Sequence, residues 1–134
     1  LTLIDTNILI DLFAADPHWA DWSANALSTA AAAGPLLIND MVFAELSVGF
    51  DRCAACEAFL ADLRIDLAPM PRAALFLAGK AFRAYRQRGG DRSSVLPDFF
   101  IGAHAAHEGL PLLTRDPRRY RRAFPTLRLI SPAP

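Results

Sequence analysis

Four carboxylates in this chain are placed to act together, and two of them, Glu45 and Asp98, sit in surroundings that argue against surface solvation. Asp5 closes the apolar run LTLI, Glu45 interrupts MVFAEL, Asp98 interrupts LPDFFIG, and Asp116 follows LPLLTR. A carboxylate buried and unpaired in such surroundings costs several kcal/mol or takes up a proton. Taken singly, each has a plain structural reading: Asp98 as a first-turn helix acid favoured by the dipole, Glu45 as the partner of a nearby Arg. Taken together, four converging acids repel one another and call for a cation. An all-oxygen set suits Mg²⁺ or Mn²⁺ rather than zinc. One or two such ions activate a water at neutral pH and neutralise charge on a leaving oxygen, the chemistry of phosphodiester hydrolysis. No covalent nucleophile is required, and no Ser/His/Asp or Cys/His constellation stands out.

Whether the four converge depends on the elements that carry them. Leu1–Asp5 reads as a short strand, followed by an apolar helical start at Ile8–Phe13 and a break at Asp16-Pro17. His18–Ala33 reads as a helix with Trp19, Trp22 and Leu27 toward the core, stopped by Gly34-Pro35. Leu36–Asn39 is a second strand. Asn39 or Asp40 caps the next helix, whose Met41, Val42, Leu46 and Phe50 fall at helical spacing, and the pattern resumes over 52–63 after a break near Gly49. Ile65–Ala68 is a third strand, and Arg72–Arg88 a long helix with Leu75, Leu77, Ala78, Phe82 and Tyr85 as core contacts, ending at Gly89-Gly90. A polar loop to Val95 reads as mobile. Then come a helix over Leu96–Glu108, a strand over Pro111–Thr114, a short arginine-rich helix from Asp116-Pro117 to Phe124, and a last strand over Leu127–Ile130.

Short, almost wholly apolar strands alternating with helices call for a sheet covered on both faces. The expected fold is therefore α/β: a three-layer α/β/α arrangement with a short, mainly parallel, five-stranded sheet, in a single domain over residues 1–134. In such a fold the carboxyl ends of strands and the amino ends of the following helices share one edge, where ligands bind. Asp5, Glu45, Asp98 and Asp116 all map to that edge. Thr6, Asn7 and Thr114 stand beside them, able to hydrogen-bond a carboxylate or a water, while Thr6 and Thr114 serve equally well to finish strand ends.

Other chemistries fit poorly. No GxGxxG follows the first strand, no GxxxxGK[ST] occurs, and Asp5-Thr6-Asn7 lacks the second Asp of a phosphatase of the haloacid dehalogenase type. Cys53 and Cys56 form a C-x-x-C, but inside a helical pattern and without a second ligand pair, so they read as ordinary helical cysteines of a reducing cytoplasm. His104 and His107, without an HExxH pattern, read as capping or helix-end residues. No apolar run approaches the roughly 20 residues that cross a bilayer, and the expectation is a soluble, cytoplasmic protein without a membrane partner.

The formal net charge of zero conceals a division. Residues 1–67 hold ten acids against Arg52 and Arg64, whereas residues 68–134 hold four acids against twelve bases. Thirteen of the fourteen bases are Arg, the residue suited to bidentate contact with phosphate, although a GC-rich genome also swaps Lys for Arg. Arg115, Arg118, Arg119, Arg121 and Arg122 flank the acidic edge, and Arg86, Arg88 and Arg92 surround the Gly89-Gly90 loop. They can hold the phosphates either side of a cleaved bond, or form a solvated helix face. Tyr120 reads as a core or helix-end residue, with stacking on a base as the alternative.

LIDTNILIDL at 3–12, NDMVFAEL at 39–46, LPDFFIGAHA at 96–105 and LLTRDPRRY at 112–120 resemble the four signature blocks of PIN-domain ribonucleases, with the spacing of VapC-type toxins of toxin–antitoxin modules. The resemblance covers essentially the whole chain. It implies a compact α/β/α domain, dependence on Mg²⁺ or Mn²⁺, cleavage of an RNA substrate such as tRNA or rRNA, a homodimer, and inhibition by a cognate VapB-type antitoxin whose Arg enters the metal site. By position, Asp5 and Asp98 resemble the acids most directly tied to the metal, with Glu45 and Asp116 completing the set directly or through water. A housekeeping RNA-processing or DNA-cleaving nuclease, and a catalytically silent RNA- or protein-binding module, are the alternatives. The silent module predicts that Asp98→Asn leaves any biological effect unchanged.

Overall fold

The computed structural model describes residues 1–90 and 96–133. The loop expected to be mobile, with Arg92 in it, lies outside the described residues. The elements run β1 (Thr2–Ile4), α1 (Thr6–Phe13), α2 (Ala20–Ala33), β2 (Leu36–Ile38), α3 (Asp40–Ser47), α4 (Cys53–Asp62), β3 (Ile65–Leu67), α5 (Arg72–Gln87), α6 (Leu96–Glu108), β4 (Leu112–Leu113), α7 (Arg118–Ala123) and β5 (Leu129–Ile130).

The sheet has the order β3-β2-β1-β4-β5 and every pairing is parallel. Its strands are two or three residues long, shorter than their sequence pattern predicts, because the flanking residues turn into caps and loops. The central strands are buried throughout: Leu3, Ile4, Leu112 and Leu113 are fully enclosed, while Asp66 and Leu67 of the edge strand β3 face solvent. That difference follows from position, since only a central parallel strand has both neighbours and both faces covered. Helices flank the sheet, with α5 lying along α6, α1 against α2 and α3, and α6 against α3 and α7. Among the described residues no helix is long and apolar enough to cross a membrane.

Local sequence explains the helix ends. The Asn39 side chain accepts a hydrogen bond from the Val42 N–H and starts α3, and Gly89, at φ 83°, lets the chain leave α5 in the left-handed conformation that side chains disfavour. On α5 the expected core face is displaced. Ala74 and Ala78 are the buried residues, Phe82 and Tyr85 are half-buried, and Leu75 and Leu77 point outward beside Phe76, which is 67% exposed. Small residues let α5 approach α6 closely, so the alanines rather than the leucines occupy the contact. On α2, Leu27 is buried and half-buried Trp22 packs against the core, as expected; Trp19, also half-buried, precedes the helix as its N-cap.

Candidate active site

The register of two strands creates the centre of the site. Leu3 pairs with Leu112 and Ile4 with Leu113, so the next residues, Asp5 and Thr114, leave the sheet side by side. Here the strand order reverses: the chain builds outward from β1 through β2 and β3, then returns to place β4 on the other side of β1. Such switch points open a crevice beyond the strand ends. Thr114 Oγ1 donates to Asp5 Oδ2 at 2.7 Å, the Thr6 N–H donates to Asp5 Oδ1 at 2.7 Å as α1 begins, and the Tyr120 hydroxyl donates to Oδ2 at 2.9 Å. Asn7 Nδ2 reaches both Asp5 Oδ2 at 3.3 Å and Thr114 Oγ1 at 3.2 Å. Asp5 is thereby held in one orientation at 4% exposure.

The other acids arrive from separate elements. Glu45, in the second turn of α3, accepts from Thr6 Oγ1 at 2.6 Å; Asp98, in the first turn of α6, is paired with Arg119 and lies 3.5 Å from the Tyr120 hydroxyl. Asp116 is exposed, with its N–H donating to Thr114 Oγ1 at 3.1 Å. All four acids, with Thr6, Asn7, Arg119 and Tyr120, line one cleft of about 380 Å³. The edge read from the sequence thus brings Asp5, Glu45, Asp98 and Asp116 together, and it brings Thr6, Asn7 and Thr114 into hydrogen bonds with or beside them. A larger groove of about 750 Å³ between α3, α4 and β3 contains none of the four.

The electrostatics register this crowding. Burial is the main cause that raises Asp5, to about 6 from an ordinary 3.8, against the lowering effect of its hydrogen bonds from Thr114, Tyr120 and Thr6; the charge of Asp98 pushes in the same direction as burial. Burial and Asp98 likewise raise Glu45, and burial with Asp116 raises Asp98 despite Arg119. Burial, followed by the surrounding acids, holds the Tyr120 hydroxyl well above its ordinary range, so it remains a donor. A carboxyl whose folded pKa is raised favours folding below its unfolded value and loses that contribution as pH rises through the folded one. At about 1.4 kcal/mol per unit, ionised Asp5 opposes folding by about 3 kcal/mol at pH 7.5 and about half that at pH 5. Buried His104, whose pKa is lowered first by burial, has the opposite pH dependence. In EDTA, the stability of Asp5→Asn relative to the parent chain is therefore expected to fall by about 1 kcal/mol from pH 7.5 to pH 5. Urea titrations at the two pH values measure it, and a difference independent of pH would contradict it.

Three features of the site lie outside the sequence reading. Tyr120 is a core residue, as expected, at 2% exposure, but its hydroxyl also contacts two of the acids, which no local pattern announces. A buried Tyr needs a partner for its hydroxyl, but nothing local tells which one it finds. His104 is a mid-helix residue rather than a capping one, 1% exposed, with Nδ1 3.1 Å from Asn39 Nδ2. Asn39 Oδ1 is already engaged by Val42, so the amide donates and the imidazole is neutral with its proton on Nε2. This bond ties the start of α3, which carries Glu45, to α6, which carries Asp98. Third, Asp11 is 1% exposed and accepts from Ser23 Oγ at 2.7 Å and from Arg115 Nε and Nη2 at 2.8 and 3.0 Å, with the Arg115 guanidinium 5.5 Å from the Trp19 ring. Arg115 therefore clamps the loop between Thr114 and Asp116 onto α1 and α2, and its N–H adds a bond to Asn7 Oδ1 at 3.3 Å.

As the side chains stand, no group of three or more acids, histidines or cysteines among the described residues is drawn together closely enough to hold an ion. The chemistry of the donor set nevertheless fits a hard divalent cation. It is all oxygen, it faces one cleft, and three of its carboxyls are raised in part by the charge of another member, a surplus of negative charge that such a cation offsets.

A family model described as the PIN domain matches residues 2–125. No curated protein sequence matches the chain. Among solved structures, the fold is similar to a chain of VapBC2 from Rickettsia felis bound to a DNA fragment from their promoter, with 23% identity, 98% of each chain covered and a TM-score of 0.75. It is similar also to a chain of VapBC-1 from nontypeable Haemophilus influenzae, at 18% identity over 97% of this chain and 96% of that one, TM-score 0.71. A toxin–antitoxin complex from Klebsiella pneumoniae provides a third likeness, at 23% identity over 99% and 98%, TM-score 0.63.

Proposed function

Because the chain belongs to the PIN-domain family, we propose that it is a Mg²⁺- or Mn²⁺-dependent endoribonuclease, and that it acts as the toxin of a VapBC-type pair. The observation that carries the reading is the convergence of Asp5, Glu45, Asp98 and Asp116 on one cleft at the switch point of a parallel sheet. When bound, one or two divalent ions supply the Lewis acidity that activates water and offsets charge on the leaving oxygen. Asp5 and Asp98 are the residues that would hold it, with Glu45 and Asp116 completing the set directly or through water.

The chain's own contribution is preorganisation. Thr6, Thr114 and Tyr120 fix the Asp5 carboxylate before any ligand arrives, and the Thr6 hydroxyl holds Glu45 in place, so little reorientation is left for the reaction. Arg119 brings positive charge to the same cleft, suited to a phosphate oxygen. The likeness to chains from VapBC and toxin–antitoxin complexes supports a VapB-type antitoxin as protein partner, and a homodimer and a cytoplasmic site of action belong to the same reading.

The test is fragment-end mapping of total cellular RNA after incubation with antitoxin-free protein in Mg²⁺ or Mn²⁺, beside EDTA and Asp98→Asn controls. The expected result is a set of discrete new ends that vanish in both controls. New ends that persist in EDTA would exclude the metal-dependent mechanism. No new ends, together with no Mn²⁺ binding by calorimetry, would exclude the nuclease.

A further inference from the structure

The eight arginines of the sequence reading separate once they are placed. Arg115 is engaged by Asp11, Arg119 is paired with Asp98, and Arg86 lies 5.9 Å from the Phe82 ring. Arg121 is exposed and lines neither cleft, and Arg92 is outside the described residues. The remaining three, Arg88, Arg118 and Arg122, converge with Arg119 on a second cleft of about 440 Å³ whose apolar wall is Tyr85 and Phe99. Arg119 lines this cleft and the carboxylate cleft alike, so the two are neighbours.

The arrangement runs against local electrostatics. The ion pairs among the described residues are Asp11–Arg115 and Asp98–Arg119, which leaves the charges of Arg88, Arg118 and Arg122 without an acidic partner there. Arg118 and Arg122 stand four residues apart on one face of α7, where like charges repel. Arg118 also opens α7, at the end where the helix dipole disfavours a cation, and the first turn holds no acid to offset it. Three guanidinium groups brought to one cleft in this way are destabilising in the free protein and become favourable when an anion enters. Conflicts of this kind are expected where a ligand, rather than the fold, sets the residue type.

We propose that this cleft is a phosphate subsite for the RNA strand, holding the phosphodiester next along the chain from the one presented to the carboxylates. Arg118 and Arg122 grip its oxygens from α7, Arg88 closes from the end of α5, and the half-buried Tyr85 ring receives the apolar face of the attached nucleoside. The choice of RNA as ligand rests on the nuclease reading; the anion-binding character rests on the cleft.

The experiment measures anisotropy of a labelled, uncleavable 2′-O-methyl oligoribonucleotide with the full chain in EDTA, over a range of salt. Arg118→Ala/Arg122→Ala is compared with the parent and with Arg52→Ala/Arg128→Ala, which touches neither cleft. The first double variant is expected to bind about tenfold more weakly and to lose about 0.7 from the salt slope, the single-strand value for one phosphate contact, while the second matches the parent. Arg118→Lys/Arg122→Lys is expected to restore the slope but only part of the affinity, since the bidentate grip is gone. Equal binding and slope in the alanine variant and the parent would overturn the subsite, as would a parent that binds no oligoribonucleotide at low salt. A labelled acidic peptide titrated in the same way, if it binds the parent and is lost by the alanine variant while RNA binding stays intact, would assign the cleft to a protein partner instead and would also overturn it. Mn²⁺-dependent cleavage measured in parallel keeps the two ideas apart. Cleavage by the parent with unchanged binding in the variant sinks only the subsite, and weakened binding in the variant of a parent that never cleaves sinks only the nuclease.

Discussion

Asp98→Asn is expected to lower metal-dependent RNA cleavage about a thousandfold or more while leaving the fold intact. Asp98 is the acid most coupled to the others: its charge raises both Asp5 and Glu45, and Asp116 in turn raises Asp98. The amide keeps the size of the side chain and its place in the first turn of α6, but it removes the charge a divalent ion requires. Losing about 4 kcal/mol of charge stabilisation in the transition state corresponds to about a thousandfold in rate. The loss of Asp98's charge also returns Asp5 toward its ordinary range, so the metal-free variant should be no less stable than the parent near neutral pH. Single-turnover cleavage, Mn²⁺ calorimetry and a urea melt on the same preparation check all three parts. Full cleavage by a folded Asp98→Asn protein would remove the proposed mechanism.

Phe99→Ala is expected to cost about 3–5 kcal/mol, a large share of the stability of a domain this size. Phe99 is 1% exposed and sits in an aromatic cluster, with ring centroids 5.6 Å from Phe82, 5.3 Å from Tyr85 and 6.3 Å from Phe124. It joins α5, α6 and the end of α7, so truncation leaves a cavity that three elements must share. One turn on, the helices are too close for easy repacking: a Cβ on Gly102 would lie 2.5 Å from Phe124 Cε2 and 3.0 Å from Tyr120 Cδ1. The same contact sets the position of Tyr120 and hence its bonds to Asp5 and Asp98. The shift in urea midpoint, compared with Phe76→Ala at the exposed face of α5, measures the effect. A cost equal to that of Phe76→Ala would show that the aromatic cluster does not hold α6.

The strongly patterned parts of this molecule were legible from the chain. Short runs, wholly or mostly apolar, placed all five strands, and Gly34, Gly109 and the proline-marked breaks placed the helix ends to within a residue or two. The edge of the sheet followed from chain direction alone, because a parallel strand ends where the next helix begins, and Asp5, Glu45, Asp98 and Asp116 were found together for that reason. Where periodicity was ambiguous the outcome went the other way. In RAALFLAG of α5 Leu75 and Leu77 cannot share a face, whereas Ala74 and Ala78 stand four apart, and the close approach of α6 selected the alanines.

What the sequence determined by itself, then, was the fold class, the identity of the four acids and the charge division that sets arginines beside them, since each depends on local pattern and chain direction. The company those residues keep was settled by packing. The pairing of Ile4 with Leu113 brings Thr114 to Asp5, the packing of α7 on α6 brings Tyr120 to two acids, and Asp11 takes Arg115 while Arg88, Arg118 and Arg122 line a second cleft. These contacts join residues up to 115 positions apart in the chain. A long-range partner is chosen by how whole elements pack, and no short-range pattern encodes that choice.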